Sequence, residues 1–207
     1  MTGCIVLGPT EIVRDRPFTD PERNLEDLAA LRGMLDRLRE VLSQPEGLPD
    51  GPRPAILVLP ERNGRSHRIA ISRREELLAA GEFTIVGFFG EKRPAADLSV
   101  LEGVDLELIY HFPFHTGVLS YSTLELANGD CGNLVMLSRP DAIDDWRTNV
   151  KHGYAAEYLA PKYYARIRLH NYVLPGGLMA GLDPILLRTK YYDYAGGRVW
   201  LAMREAR

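Results

Sequence analysis

The stretch Ser138–Leu178, SRPDAIDDWRTNVKHGYAAEYLAPKYYARIRLHNYVLPGGL, decides how this chain is read. It gathers Trp146, His152, His170, the pair Tyr163-Tyr164, Arg166 and Arg168 between a Ser-Arg-Pro start and a Gly176-Gly177 stop. Pro140 with Asp141, Asp144 and Asp145 marks a helix start, because carboxylates near a helix N-terminus meet the positive end of its dipole. Ile143, Trp146 and Val150 give that helix an inner face, and Gly153 predicts a break. Ala155 to Leu159 continues it, and Pro161 fits the opening of a new turn. The spacing then predicts a further helix from Lys162 to Val173, closed by Pro175-Gly176-Gly177. On that helix Tyr163, Ile167 and His170 share one side, Tyr164, Arg168 and Asn171 another, and Arg166 and His170 share an edge. An arginine beside a histidine and a tyrosine suits the grip of a carboxylate or an enolate.

The runs on either side supply strands. FTIVGFFGEKR has the aromatic and β-branched content of a buried strand, with Gly87 and Gly90 as points of bulge or close approach. LSVLEGVDLELIYHF predicts a helix from about Pro94 to Tyr110. VLSYSTLEL and NLVMLSR flank ANGDCG, a hairpin whose turn suits positive φ. After the central stretch come two more strands, PILLRTKYYDY and RVWLAMR. Taken from Glu82, the order strand, helix, hairpin, helix, strand is the βαββαβ pattern of a ferredoxin-like unit, an α+β fold with helices on one face of its sheet. The other face must be covered by the N-terminal part of the chain, by a second copy, or by both. A pocket between the sheet and its helices is the expected place for chemistry.

Residues 1–81 read as an N-terminal α/β segment, a divergent ferredoxin-like half, and 82–207 as the main domain. GCIVLGP opens with a short strand. Leu25, Leu28, Leu31, Leu35, Leu38 and Leu42 recur at threes and fours, a helix with Asn24 placed to cap and Asp27 three residues on. QPEGLPDGPRP is a loop and the best internal boundary. AILVLP and HRIAIS read as strands around the turn ERNGRS, and SRREELLAAG as a short helix.

With 207 residues, 45% of them hydrophobic, the chain can bury a sizeable core. A net charge of -3 gives no electrostatic case for nucleic acid. No apolar run approaches the roughly 18 residues of a membrane span, and Met1 to Leu7 lacks signal-peptide features, so a cytoplasmic location without membrane partners is expected. Two cysteines, Cys4 and Cys131, are too few for a disulfide framework or a thiolate metal site. GxGxxG, GxxxxGK[ST], GxSxG and CxxC are all absent, which removes support for nucleotide binding, the common hydrolase elbow and thiol redox chemistry.

SRPDAIDDWRTNVKH resembles the second-helix signature of the dimeric α+β barrel proteins related to antibiotic-biosynthesis monooxygenases, in which Trp is followed six residues later by His, as Trp146 is by His152. The resemblance covers about Glu82 to the C-terminus and implies a homodimer, a dimeric or fused barrel, and a small-molecule pocket under the helices. It also implies oxygenase-like chemistry and, in a haem-binding branch, a haem cofactor.

Each candidate has a bland reading beside the sharp one. His152, as general base or haem ligand, otherwise packs a helix end. His170, Tyr164 and Arg166 complete the expected catalytic set, against hydrogen-bonded or aromatic core. His111 and His115, in HFPFH, with Arg168, extend the cofactor-binding candidates; Pro113 and the missing HExxH glutamate weigh against zinc. Tyr163, Tyr191 and Tyr192 line a cavity or pack as core, Trp146 reads as a core anchor, and His67 reads as exposed. These residues support an oxygenase-like enzyme for an apolar or aromatic substrate, with or without haem. The alternatives are a cofactor-free cyclase, isomerase or dehydratase, and a non-enzymatic dimeric ligand-binding module.

Overall fold

The computed structural model describes residues 3–44, 48, 53–61, 64–94, 96 and 99–206. The Pro-rich boundary over 44–54 and the turn in ERNGRS fall largely or partly outside them. Nine strands form one open sheet: β1 (Ile5–Val6), β2 (Ala55–Pro60), β3 (Ser66–Ile71), β4 (Phe83–Lys92), β5 (Val118–Glu125), β6 (Cys131–Leu137), β7 (Tyr164–Leu174), β8 (Ile185–Asp193) and β9 (Trp200–Glu205). Their spatial order is β1-β9-β8-β7-β4-β6-β5-β3-β2. The fold is α+β. Its middle, β7-β4-β6-β5, is antiparallel throughout, and its chain order is strand, helix, hairpin, helical segments, strand. Residues before Glu82 contribute β2 and β3 to one side of these four strands, and β1 to the far edge.

The 21-residue helix α1 (Arg23–Ser43) covers one face. Its leucines dock as their spacing predicts: Leu31, Leu35, Leu38 and Leu42 are buried with Ile85, Phe89, Leu134, Met136 and Tyr172. Gly87 lets α1 come close, since a Cβ there would stand 2.9 Å from Leu31. The N-terminal part of this same chain therefore covers the face left open by the other helices. The short helix α2 (Arg74–Leu78) adds Leu77 to that core. The expected capping by Asn24 is replaced: α1 begins two residues earlier, Glu22 is its N-cap without a side-chain bond, and Asp27 is buried in an ion pair.

The other face carries α3 (Ser99–His111), α4 (Ala142–Arg147), α5 (Val150–Gly153), a π-helical turn over Tyr154–Leu159, and α6 (Ala160–Tyr163). Ile109, Phe112 and Ala142 pack there on Val118 and Leu137. Among the described residues no helix is long and apolar enough to cross a membrane.

The main correction concerns the central stretch. The expected helix from Lys162 to Val173 is a helical turn only as far as Tyr163, and then the 11-residue strand β7. Arg166-Ile167-Arg168-Leu169-His170 alternates polar and apolar with period two, and the sheet has room for one more strand beside β4. Because both faces of β7 are covered, its residues are buried on both sides, and the continuous run of large residues imitates a helix. The side-sharing expected on a helix therefore fails. Arg166, Arg168 and His170 lie together on the α1 face, whereas Ile167, Leu169 and Asn171 look the other way.

Candidate functional site

A cavity of about 900 Å³ lies between the sheet and the α3–α6 layer. Strand register builds its floor. Arg68 opposes Thr123, Thr123 opposes Asn133, Asn133 opposes Phe88, Phe88 opposes Leu169, and Leu169 opposes Lys190, so one row runs across six strands on one face. A parallel row contributes Tyr121, Val135, Val86 and Asn171. The middle of the floor is apolar and both ends are polar.

Tyr164 reaches this floor through a bulge. The register between β4 and β7 slips at Glu91/Lys92, inserting Ala165 and turning Tyr164 onto the face of Ile167. Gly90 makes the space: a Cβ there would stand 2.5 Å from the Tyr164 ring. Phe88 meets that ring edge-on with centroids 5.1 Å apart. Burial, followed by the neighbouring Cys131, pushes the Tyr164 phenol above its ordinary range, so it stays protonated.

At one end a polar node is assembled from four elements, β3, α3, β5 and β6. Arg68 pairs with Asp105 of α3, the Tyr121 hydroxyl donates to Asp105 Oδ1 at 2.7 Å, and Asn133 Nδ2 donates to the Tyr121 oxygen at 2.9 Å. Burial raises the Tyr121 phenol above its ordinary range. Asn133 Oδ1 and Arg68 Nε are buried with no hydrogen-bond partner among the described residues.

His152 stands in the cavity wall. Asn149 fixes it: its side-chain oxygen accepts the backbone N–H groups of Lys151 at 2.9 Å and His152 at 3.1 Å, capping α5. The His152 ring rests on Trp146 with centroids 5.0 Å apart, and Trp146 is wedged edge-on against Phe112 and His115. The ring nitrogens of His152 have no hydrogen-bond partner among the described residues. Burial first, then Arg147 and His115, pushes this imidazole down to about 4, so it is neutral at pH 7. The break expected near Gly153 coincides with the π-helical turn, whose small Ala155 and Ala156 leave the cavity open.

The other candidates are placed elsewhere. His170 is fully buried on the α1 face, with Nδ1 2.8 Å from Thr189 Oγ1 and Nε2 2.8 Å from Asp27 Oδ2. Arg168 grips Asp27 through two bonds of 2.6 and 2.8 Å, and Glu91 receives both Arg166 at 3.0 Å and Arg168 at 3.4 Å. Burial opposes the Asp27 charge, but bonds from Arg168 and His170 outweigh it and hold the carboxyl below its ordinary value. Burial likewise keeps His170 neutral against the pull of Asp27. His115 is tied by its Nε2 to Asn149, and His111 ends α3 beside Phe114; neither lines the cavity. Tyr192 lines the cavity, while Tyr191 is buried on the opposite face beneath Arg204.

Of the expected residues the cavity thus gathers His152 and Tyr164, and it separates them from His170, Arg166 and Arg168 by the thickness of the sheet. The residues that sequence reasoning missed are Arg68, Asp105, Tyr121 and Asn133. The run LSVLEGVDLELIYHF carries three carboxylates, Glu102, Asp105 and Glu107, and nothing in the sequence singles out Asp105, which becomes the half-buried one paired with Arg68 only in the fold. Among the described residues no cluster of three or more His, Cys, Asp or Glu is arranged to hold a metal ion. The chain matches no known protein-family model, no curated protein and no solved structure.

Proposed function

We propose that this chain is a small-molecule enzyme that holds an apolar or aromatic molecule between its sheet and its helical layer, with His152 moving a proton. The observation that carries this reading is a neutral imidazole, its ring nitrogens unpartnered among the described residues, in the wall of a cavity of about 900 Å³. That volume suits an organic metabolite, since such pockets run from roughly 300 to 1,000 Å³. Phe88, Val86, Val135 and Leu169 supply apolar contact, and Arg68 Nε with Asn133 Oδ1 supplies one donor and one acceptor for orientation. A base must be unprotonated at working pH and within reach of its proton, which His152 meets better than the buried and fully bonded His170. The antiparallel order β7-β4-β6-β5 supports a ferredoxin-like unit; a cytoplasmic homodimer belongs to the proposal through the resemblance alone, since α1 already covers the face that a second copy covers in a dimeric barrel. Oxygenase-like chemistry belongs to this proposal through the resemblance around Trp146 and His152.

Two measurements test it. With Trp200→Phe leaving Trp146 as the remaining tryptophan, 1-naphthol should quench its fluorescence saturably, and Val135→Phe, which fills the floor, should weaken binding at least about tenfold. In D2O, 2-tetralone should exchange its acidic C–H faster with the wild type than with His152→Gln. Equal exchange overturns the proton-moving role.

A second reading, haem held by His152, is favoured by the same unpartnered ring and by the size of the cavity. Bound haem supplies electron-transfer and dioxygen chemistry. His152 is the one member of the expected haem set that lines the cavity; His111, His115 and Arg168 do not. Haemin titration should give a Soret band that His152→Ala abolishes, and its absence discards this reading.

A further inference from the structure

The basic groups buried beneath α1 all have carboxylates. Arg168 and His170 share Asp27, and His67, not the exposed residue its place after a turn suggests, is 1% exposed with Nδ1 2.9 Å from Glu61 Oε1. The opposite face of the sheet differs at one point. The row that floors the large cavity ends on β8 at Lys190, which opposes Leu169, and two residues along the strand Tyr192 opposes Ile167. All four line the cavity. Neither the Lys190 ammonium nor the Tyr192 hydroxyl has a hydrogen-bond or ion-pair partner among the described residues. Both side chains are half-buried, and neither polar atom is sealed from solvent.

The charges around Lys190 are Arg147, Arg188 and Asp144, with the Cys4 thiol beside them. Arg147 stands 3.5 Å from Asp144, and Arg188 faces Glu205 across β9. With each arginine matched to one carboxylate, Lys190 is the cation left over. The other carboxylates of the cavity do not answer it. Asp105 belongs to Arg68, Glu125 and Lys92 both act on Cys131, and Glu102 and Glu157 are exposed on the helical layer. Burial first, then Arg147 and Arg188, weakens the hold of Lys190 on its proton. A half-buried ammonium without a counter-ion is unfavourable, and an anion relieves it.

We propose that the molecule held in the large cavity is an organic acid whose carboxylate is bound by Lys190 and Tyr192, an inference that rests on the small-molecule reading above. Its apolar or aromatic body lies on Leu169 and Phe88. Burial keeps the Tyr192 hydroxyl protonated against the pull of Arg147, so it donates one bond and the ammonium another. Arg147 is the charged neighbour that Lys190, Tyr192 and His152 have in common, so the anchored carboxylate lies on the His152 side of the cavity. One surplus positive charge selects a monoanion over a neutral phenol and repels a cation.

The test uses the full-length protein carrying Trp200→Phe, with Trp146 fluorescence as the reporter. 1-Naphthoate should bind about five- to tenfold more tightly than 1-naphthol, the size of one charge-assisted hydrogen bond reduced by partial exposure. Lys190→Gln should remove that preference while leaving 1-naphthol within about twofold, and Lys190→Arg should keep most of it. Without any further substitution, sodium chloride at about 0.5 M should weaken 1-naphthoate and spare 1-naphthol, and 1-naphthylmethylamine should bind more weakly than 1-naphthol. The proposal is overturned if 1-naphthoate binds no better than 1-naphthol, if its preference resists salt, or if Lys190→Gln retains that preference. If 1-naphthol binds and 1-naphthoate gains nothing, the cavity reading stands and this inference alone fails; if neither ligand quenches saturably, both fall.

Discussion

Replacing Asp27 by Ala tests the buried network that anchors α1 to the sheet. The wild-type carboxylate takes two bonds from Arg168 and lies 2.8 Å from His170 Nε2. Arg168 side-chain exposure is 8%, so in the variant its charge stays out of water with only Glu91, at 3.4 Å, for company. Removing one partner of a buried pair costs about 3–5 kcal/mol, and Glu91 returns part of it, so we expect a loss of about 3–4 kcal/mol. For a chain of this size each kcal/mol lowers the melting midpoint by about 2–4 °C, giving a fall of roughly 6–16 °C. Urea unfolding followed by far-ultraviolet circular dichroism measures it. The combined variant Asp27→Leu, Arg168→Met, His170→Leu should recover most of the loss, because apolar replacement of a buried ionic network is close to neutral. A single-variant loss under about 1 kcal/mol, or a combined variant no better than the single one, refutes the reasoning. The contribution has a defined pH window. Because the Asp27 carboxyl is held below its ordinary value in the folded chain, its stabilisation is present above that ordinary value of 3.8 and disappears only as pH falls through the folded value.

The remaining predictions concern histidine linkage and the cavity. The unfolded chain binds a proton at His152 near 6.5 and the folded chain near 4, so stability should fall by up to about 3 kcal/mol as pH drops between them, and His152→Gln should flatten that part of the profile. Gly90→Ala drives a methyl into the Tyr164 ring and should cost about 1–3 kcal/mol in urea while weakening 1-naphthol binding; full affinity would show that Tyr164 does not shape the cavity. Asp105→Asn leaves Arg68, whose side chain is 17% exposed, without its counter-charge; partial solvent screening reduces the loss to about 1–3 kcal/mol, and a change below about 0.5 kcal/mol would mean that water already satisfies the node.

Elements marked by a leucine stripe, by turn residues or by aromatic and β-branched content were legible in the sequence. The leucine stripe of α1, the hairpin around Asn128-Gly129 and the strands of FTIVGFFGEKR and PILLRTKYYDY are all found where their patterns predict. The stretch from Tyr164 to Leu174 misleads because both its faces are covered, so its alternation runs between bonded polar groups and apolar ones rather than between core and water. The site is harder to read for a related reason. Arg68, Thr123 and Asn133 lie on three separate strands and become neighbours only through register, which no local pattern encodes. His152 was legible as a reactive side chain in a helical context. Its separation from His170 was not, since His170 lies on a strand that reads as a helix, and that strand turns it to the α1 face, away from the layer that carries His152.

The pairing of β1 with β9 has a consequence in time. Ile5 lies beside Ala202, and Arg204 donates to the Gly8 carbonyl at 3.1 Å, so the first element is locked by the last. Closing so long a loop is thermodynamically mild, because each doubling of loop length adds only about 0.6 kcal/mol. Synthesis is slower. At about 5–20 residues per second the partners emerge roughly 10–40 s apart. During that interval Leu7 and Phe18, buried in the finished protein against Tyr191 and Ala202, have no native surface to join. The nascent chain thus carries Leu7 and Phe18 uncovered until residues 191–202 have been made, and that is the window in which a chaperone or an aggregation partner competes for them.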